Sequence, residues 1–122
     1  IVAMLDARMG DVYCAEFRKT AQGILQLLGE ERMDKPERLK LTLNEPFTGV
    51  GSGWLSYETI LAQRFFGQLS QIDRQAFPSA RGVVQLAQIA WELGEMQEAD
   101  SAQPVYLRND VAKKPQRLRP SE

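Results

Sequence analysis

Carboxylates and glycines are the residues of this sequence whose types and spacing could do chemistry. Asp6 and Asp11 lie on either side of a short polar segment, and Glu30-Glu31 follow an apolar run. Two carboxylates share acid–base work only where the fold brings them together, and their sequence spacing does not establish this. Because the sequence contains no histidine, Ser-His and Cys-His nucleophile systems and histidine-containing zinc sites are excluded for this chain.

The glycine-rich stretch Gly49-Val-Gly-Ser-Gly53 lies between a predicted strand and a predicted helix. Glycines there let a backbone approach a ligand, and a helix N-terminus favours an anion. The stretch lacks the lysine and the spacing of a phosphate loop. A tight strand–helix crossing with Trp54 as a core anchor is therefore the favoured interpretation of the motif, ahead of a ligand site.

Three basic groups are candidates for contacts. Arg8, in a predicted hairpin turn, is either a partner contact or a solvated turn residue. Arg108, with Tyr106, is predicted to dock the C-terminal segment back on the hairpin. The end of the chain carries Lys113, Lys114, Arg117 and Arg119 against Glu122, which could touch phosphates. That tail lacks interleaved aromatic residues, so a flexible, solubilising tail is favoured.

Residues 1–18 predict a β-hairpin around which the rest of the chain is arranged. Ile1 to Leu5 is an apolar run typical of a strand covered on both faces, and Gly10 suits the positive φ of a tight turn. The second strand places Tyr13, Ala15 and Phe17 on one face, and Val12, Cys14 and Glu16 on the other. Ile24 to Met33 predicts a third strand, with Gly29 as a bulge.

The remaining pattern alternates predicted helices and short strands. Helices are predicted over 36–43, 54–66 and 80–96, a strand over 47–51, and a less definite extended piece within 69–77. Ser79 is a suitable N-cap for the last helix, whose predicted buried stripe is Val83, Leu86, Ala87, Ala90, Leu93 and Met96. On that basis Leu86→Ala or Leu93→Ala would cost about 2–5 kcal/mol.

Composition indicates one ordinary globular domain. The chain has 122 residues, 43% hydrophobic content and a net charge of −1, so no global field favours nucleic acid or an anionic membrane. A single cysteine, Cys14, suits a reducing compartment and a buried, non-nucleophilic role, and the default location is the cytoplasm. Because the chain begins with Ile1 inside a predicted strand, we expect a domain cut from a longer chain.

Three separated stretches of the sequence resemble the TsaB (YeaZ) family, in the family's order. They are Leu5-Asp-Ala-Arg-Met-Gly-Asp-Val-Tyr13, Val50-Gly-Ser-Gly-Trp54 and Pro104-Val-Tyr-Leu-Arg-Asn109. The resemblance implies a mixed α/β, ribonuclease H-like or actin-like ATPase domain: an antiparallel meander followed by βα elements. It further implies that residues 1–108 are the second, C-terminal domain of such a protein, that 109–122 form a basic flexible tail, and that the N-terminal domain is absent.

The resemblance also implies a function. TsaB-type proteins are non-catalytic partners of a TsaD-type transferase and a TsaE-type ATPase in threonylcarbamoyl modification of adenosine 37 of tRNA. A homodimer of the full-length protein is possible, tRNA is met only indirectly, and no membrane is involved. The family's glycoprotease or M22 peptidase label finds no support in the residues.

Site residues follow from the same resemblance. Gly51 and Gly53 lie where related actin-fold proteins approach an adenosine, which implies at most weak ATP or ADP binding and no resident cofactor or metal. The turn from Asp6 to Asp11 carries two carboxylates where those relatives bind phosphate. Arg8 and Arg108 are the partner-binding candidates. The alternative is a nucleotide-binding or hydrolytic enzyme of the actin-like superfamily, and a third reading is an RNA-binding accessory domain that uses the basic tail.

Overall fold

A five-stranded mixed sheet organises the computed structural model, which describes residues 1–108. The strands are β1 (Val2–Arg8), β2 (Asp11–Lys19), β3 (Leu25–Asp34), β4 (Phe47–Val50) and β5 (Leu69–Asp73). Their order across the sheet is β3-β2-β1-β4-β5. The first three pair antiparallel, and β4 and β5 are parallel to β1. The predicted meander, with its third strand, is confirmed.

One face of the sheet carries the core. Val2 and Met4 of β1, Val12 and Cys14 of β2 and Phe47 of β4 are at most 4% exposed. The α-helices α1 (Ser52–Ser56) and α2 (Glu58–Arg64) follow β4, and the side chains that cover this face are Leu39, Leu43, Trp54, Leu61 and Phe65. The indole of Trp54 donates to the Val2 carbonyl at 2.9 Å, so the predicted core anchor is confirmed.

The opposite face of the sheet is open. The predicted alternation in β2 is correct, with Tyr13, Ala15 and Phe17 on the half-exposed side. The prediction that the first strand is covered on both faces is wrong, because Leu5 is 38% exposed while Met4 is fully buried. An apolar run alone does not distinguish a strand covered on both faces from one that is covered on a single face.

The helix predicted over 36–43 is absent. A turn forms instead, with the Leu39 amide donating to the Lys35 carbonyl at 3.0 Å, and the chain then runs irregularly to Phe47. Leu39 and Leu43 both insert into the core, and the carboxylate of Glu16 accepts the Leu43 amide. A buried acceptor from a distant strand thus takes a backbone donor that a helix would use.

The two other predicted helices form, but one is interrupted and the other is shorter than predicted. The helix predicted over 54–66 is split at Tyr57, whose φ of −126° and ψ of 30° lie outside the helical range. The last helix, α3 (Ala80–Glu92), begins as predicted, with the Ser79 hydroxyl accepting the Gly82 amide at 3.3 Å. It ends at Glu92 rather than 96, and a short 3₁₀ turn follows at Ala99–Ser101.

The predicted buried stripe of α3 is wrong for the described residues. Leu86 is 68% exposed, Leu93 67% and Val83 66%, and no residue of the helix belongs to the core. The helix has the predicted amphipathic pattern, but its apolar side is largely exposed within residues 1–108, with only Ile89 and Ala90 among its apolar side chains half-buried. None of the helices in the described part of the chain is long and apolar enough to cross a bilayer.

Candidate functional site

The hairpin turn between β1 and β2 has an unusual backbone. Arg8, Met9 and Gly10 follow one another at φ of 62°, 55° and 80°. The sequence predicted a positive φ for Gly10 alone. Each non-glycine residue in this left-handed region costs about 1–2 kcal/mol, so the turn requires compensating contacts.

Two side chains supply those contacts. The carboxylate of Asp6 accepts the Arg8 amide at 2.8 Å. The guanidinium of Arg108 donates to the carbonyls of Ala7 and Arg8, each at 3.2 Å, and to Asp11 at 2.8 Å. The turn is therefore clamped by the C-terminal segment, which returns across a hundred residues of sequence to reach it.

Both carboxylates of the turn already have partners. Asp6 accepts the Ser56 hydroxyl at 3.1 Å in addition to the Arg8 amide. Asp11 lies between the ammonium of Lys35 at 3.1 Å and the guanidinium of Arg108. The hydrogen bond from Lys35, assisted by Arg108, lowers the pKa of Asp11 although partial burial opposes this. The two carboxylates thus fix the hairpin tip to α1 and to the strand-to-turn connection after β3.

The two arginines proposed as partner contacts differ in their surroundings. The Arg8 side chain is 87% exposed and reaches Asp6 only at 3.7 Å. The Arg108 side chain is 13% exposed and holds the hairpin. The C-terminal segment docks through Arg108 rather than through Tyr106, which is 74% exposed. Of the two candidates, Arg8 is the one presented on the surface.

The glycine-rich crossing is packed against β1. A side chain at Gly49 would meet the Trp54 ring at 2.7 Å, and one at Gly53 would meet the Met4 Cβ at 2.9 Å. Gly51 has φ 99°, and a Cβ there would collide with the Met4 carbonyl oxygen. Close approach of the crossing to β1 accounts for Gly51 and Gly53, and packing of the Trp54 ring accounts for Gly49. The proposed adenosine position at Gly51 and Gly53 stays a prediction.

A buried charge at Glu16 was missed by sequence reasoning. Its side chain is fully buried, and its oxygens accept Arg32 at 2.7 Å and the Thr42 and Leu43 amides at 2.8 Å each. The donors lie 16 to 27 residues away in sequence, so only the position of Glu16 on the core face of β2 could have signalled the network. The network fixes the segment that replaces the predicted helix.

The thiol of Cys14 is also on the core face, 2% exposed. Burial raises the pKa of Cys14 to about 12, so the thiol stays protonated near neutral pH. The predicted burial of Cys14 is confirmed. Within residues 1–108 no three His, Cys, Asp or Glu side chains are grouped so that they could hold a metal ion.

An apolar groove of about 490 Å³ lies on the open face of the sheet. Its floor comes from β1 and β2 and one wall from the C-terminal segment 105–108; lining residues include Leu5, Tyr13, Phe17, Val105, Tyr106 and Arg108. The sequence did not predict this groove, because the outward residues of β1 were assigned to a covered face.

Comparison with known proteins identifies relatives of this chain. No protein-family model matches the chain. The tRNA threonylcarbamoyladenosine biosynthesis protein TsaB of Escherichia coli is 32% identical over 116 residues, covering 92% of this chain and 49% of that protein. The Haemophilus influenzae protein of the same name is 27% identical over 119 residues, with 91% and 48% covered.

Solved structures agree with the sequence comparison. The crystal structure of an uncharacterized protein with similarity to peptidase YeaZ, from Pseudomonas aeruginosa, has a TM-score of 0.74 at 34% identity, covering 88% of this chain and 48% of that chain. This chain is a domain of the TsaB/YeaZ family. YeaZ from Pseudomonas aeruginosa gives 33% identity and the same TM-score over 86% of this chain.

The family and the structure agree on the fold class. This TsaB/YeaZ domain has the predicted ribonuclease H-like, actin-like fold, with three antiparallel strands followed by two parallel ones. It spans about half the length of the curated relatives it matches. The predicted basic tail, 109–122, lies outside the described residues.

Proposed function

We propose that this domain serves tRNA threonylcarbamoyladenosine biosynthesis as the second, C-terminal domain of a non-catalytic subunit. The observation that carries the proposal is similarity over about nine-tenths of the chain to two proteins named for that pathway. The full-length subunit would act in the cytoplasm by binding a TsaD-type transferase and a TsaE-type ATPase, with tRNA met only through the complex.

The chemistry of the described residues supports a non-catalytic role. The chain has no histidine, the thiol of Cys14 is held protonated, and the carboxylates of Asp6 and Asp11 are engaged in holding the hairpin. A general base needs an accessible group within reach of a substrate proton. Each of these groups instead stabilises the fold.

The hairpin tip is the surface proposed to meet a partner. Arg8 and Met9 project from a clamped turn, with the Arg8 side chain 87% and Met9 72% exposed. A rigid turn presents a cation and an apolar group at small entropic cost, which favours binding. Arg108 contributes by fixing the turn.

Capture of a TsaD-type transferase tests the function. Two baits are used: this chain, and a chimaera in which residues 1–122 replace the matching half of E. coli TsaB. We expect the chimaera to capture the transferase, and Arg8→Glu to reduce capture at least tenfold. Arg81→Glu, a matched charge reversal on the exposed side of α3, should leave capture unchanged. Failure of the folded chimaera to capture the transferase would refute the proposed function.

A nucleotide-binding or hydrolytic enzyme is the second candidate. It is favoured by the similarity to a peptidase that is described for the Pseudomonas aeruginosa protein and by the glycines between β4 and α1. Against it stand the two carboxylates at the hairpin, where a phosphate would be repelled. At most weak ATP or ADP binding near Gly51 and Gly53 is proposed.

A further inference from the structure

Helix α3 is apolar over more than half of its circumference. At 100° per residue its polar side chains form one narrow stripe, spaced at positions i, i+4, i+7 and i+11: Arg81, Gln85, Gln88 and Glu92. The rest of the surface is apolar, and four large side chains there are 66–68% exposed: Val83, Val84, Leu86 and Trp91. Leu93, which directly follows the helix, is 67% exposed. No charged residue interrupts this apolar surface between Ala80 and Glu92.

Such a helix requires a partner. An isolated helix of 13 residues is marginal in water, and most helices draw stability from packing their apolar side. Soluble monomers rarely expose contiguous apolar patches beyond roughly 300–600 Å². The absence of charge from the apolar surface is typical of permanent interfaces, which resemble a domain core divided in two.

The described residues do not supply that partner. The core contains no residue of α3, and the groove on the open sheet face is walled by the segment 105–108. The relatives offer one instead: this chain covers 49% and 48% of the two curated proteins and 48% of each solved structure. Each relative therefore contains a second portion of about the same size as this chain.

We propose that the apolar surface of α3 is the docking surface for the other half of the full-length polypeptide. The inference rests on the proposed assignment of this chain as one of two domains. A permanent, charge-free contact along one helix would hold the two domains in a fixed relation, and the polar stripe from Arg81 to Glu92 would face solvent. The hairpin tip would then be presented by a rigid two-domain body.

Hydrogen exchange of the α3 amides tests the docking. We compare this chain with the chimaera defined above and expect amides 84–93 to exchange at least tenfold more slowly in the chimaera. Leu86→Asp should abolish that protection in the chimaera and leave the chain alone unchanged. Gln85→Asp, its neighbour on the polar stripe, is the matched control and should preserve the protection.

Folding is checked within the same experiment. Amides of β1 and β2 report whether the domain is intact, and Val83→Asn provides a milder second variant should Leu86→Asp unfold the chimaera. Equal exchange of α3 in the chain and in a folded chimaera would overturn the inference.

Two other partners for the apolar surface of α3 would give different exchange results. Protection in the chain alone that grows with protein concentration, with a dimer in sedimentation, would assign the surface to a second copy and overturn the inference. Another result would be protection in the chain alone that is independent of concentration and is removed by Leu5→Asp on the open sheet face. That result would show that α3 packs on the chain's own sheet, and it would also overturn the inference. A chimaera that captures the transferase while α3 stays unprotected refutes only this inference.

Discussion

Glu16 shows how a single buried carboxylate determines local structure that residue patterns do not reveal. Its type is unexpected on a core face, and its charge is acceptable there because Arg32 and two backbone amides surround it. The pattern of β2 correctly placed Glu16 with Val12 and Cys14. What the pattern lacked was the donors, which lie across a connection whose path depends on the folded core.

Replacing Glu16 with glutamine tests this network. Glutamine keeps the shape but loses the charge, and its amide nitrogen cannot accept the donors that the carboxylate oxygen satisfies. We expect the free energy of unfolding, measured by urea denaturation, to fall by about 2–4 kcal/mol. The m-value, which is its dependence on urea concentration, should stay unchanged.

The exposed pair of Glu45 with Arg18 provides the control for that measurement. Its side chains are 56% and 60% exposed, so Glu45→Gln should cost less than about 1 kcal/mol. Similar losses for the two variants would show that the contribution of the Glu16 network to stability does not depend on its burial.

Gly51 is a residue whose role was only half predictable. A strand–helix crossing was expected, but the closeness of the Met4 carbonyl to Gly51 depends on how α1 lies over β1. We expect Gly51→Ala to destabilise the domain by about 1–3 kcal/mol more than Gly67→Ala does. Gly67 has φ 85° with open space around it, so its variant bears the backbone strain alone. Equal thermal stabilities would mean that the crossing adjusts without cost.

Among the elements, α3 and the segment from 36 to 43 show why local pattern and final structure diverge. The periodicity of α3 predicted a helix with an apolar side, and both features are present, but periodicity does not state what covers that side. The helix predicted over 36–43 had a proper start at Asp34 and Pro36. The amides of Thr42 and Leu43 donate to Glu16, and Leu39 and Leu43 insert into the core, which are long-range effects.

The hydrogen bonds that attach the C-terminal segment to the hairpin come from Arg108, and its bond to Asp11 makes this attachment sensitive to acid. Asp11 has a lowered pKa, so its ion pairs contribute stability above the unfolded-state pKa of about 4, and that contribution is lost as pH falls through the folded value. The difference in unfolding free energy between the wild type and Asp11→Asn should therefore be present at pH 6 and vanish well below pH 4.

A second variant separates the two partners of Asp11. In an Arg108→Met background, the Asp11→Asn difference at pH 6 should shrink but persist, because the bond from Lys35 remains. An Asp11→Asn difference that is constant from pH 6 to pH 3 would contradict the assignment of charge-based attachment.

For the whole molecule, the fold class was the most predictable property and surface function the least. Three antiparallel strands followed by βα units, together with three family motifs, led to the ribonuclease H-like fold that the structure and its relatives share. The open sheet face and the exposed side of α3 were not predicted, because a hydrophobic pattern shows which side of an element is apolar and does not show whether that side is covered. The same limitation applies to partner contacts such as Arg8.

Nucleotide binding by the whole domain can be decided with a matched pair of ligands. The carboxylates of Asp6 and Asp11 are engaged in the hairpin turn, and Gly51 and Gly53 are packed against Met4. ATP differs from adenosine by its triphosphate, whose negative charges the two carboxylates repel. The triphosphate should therefore add no affinity beyond that of adenosine. In calorimetry we expect ATP to bind no more tightly than adenosine, and more weakly than about 10 μM. ATP binding tighter than this, and tighter than adenosine, would contradict a structural role for the turn and favour the enzyme alternative.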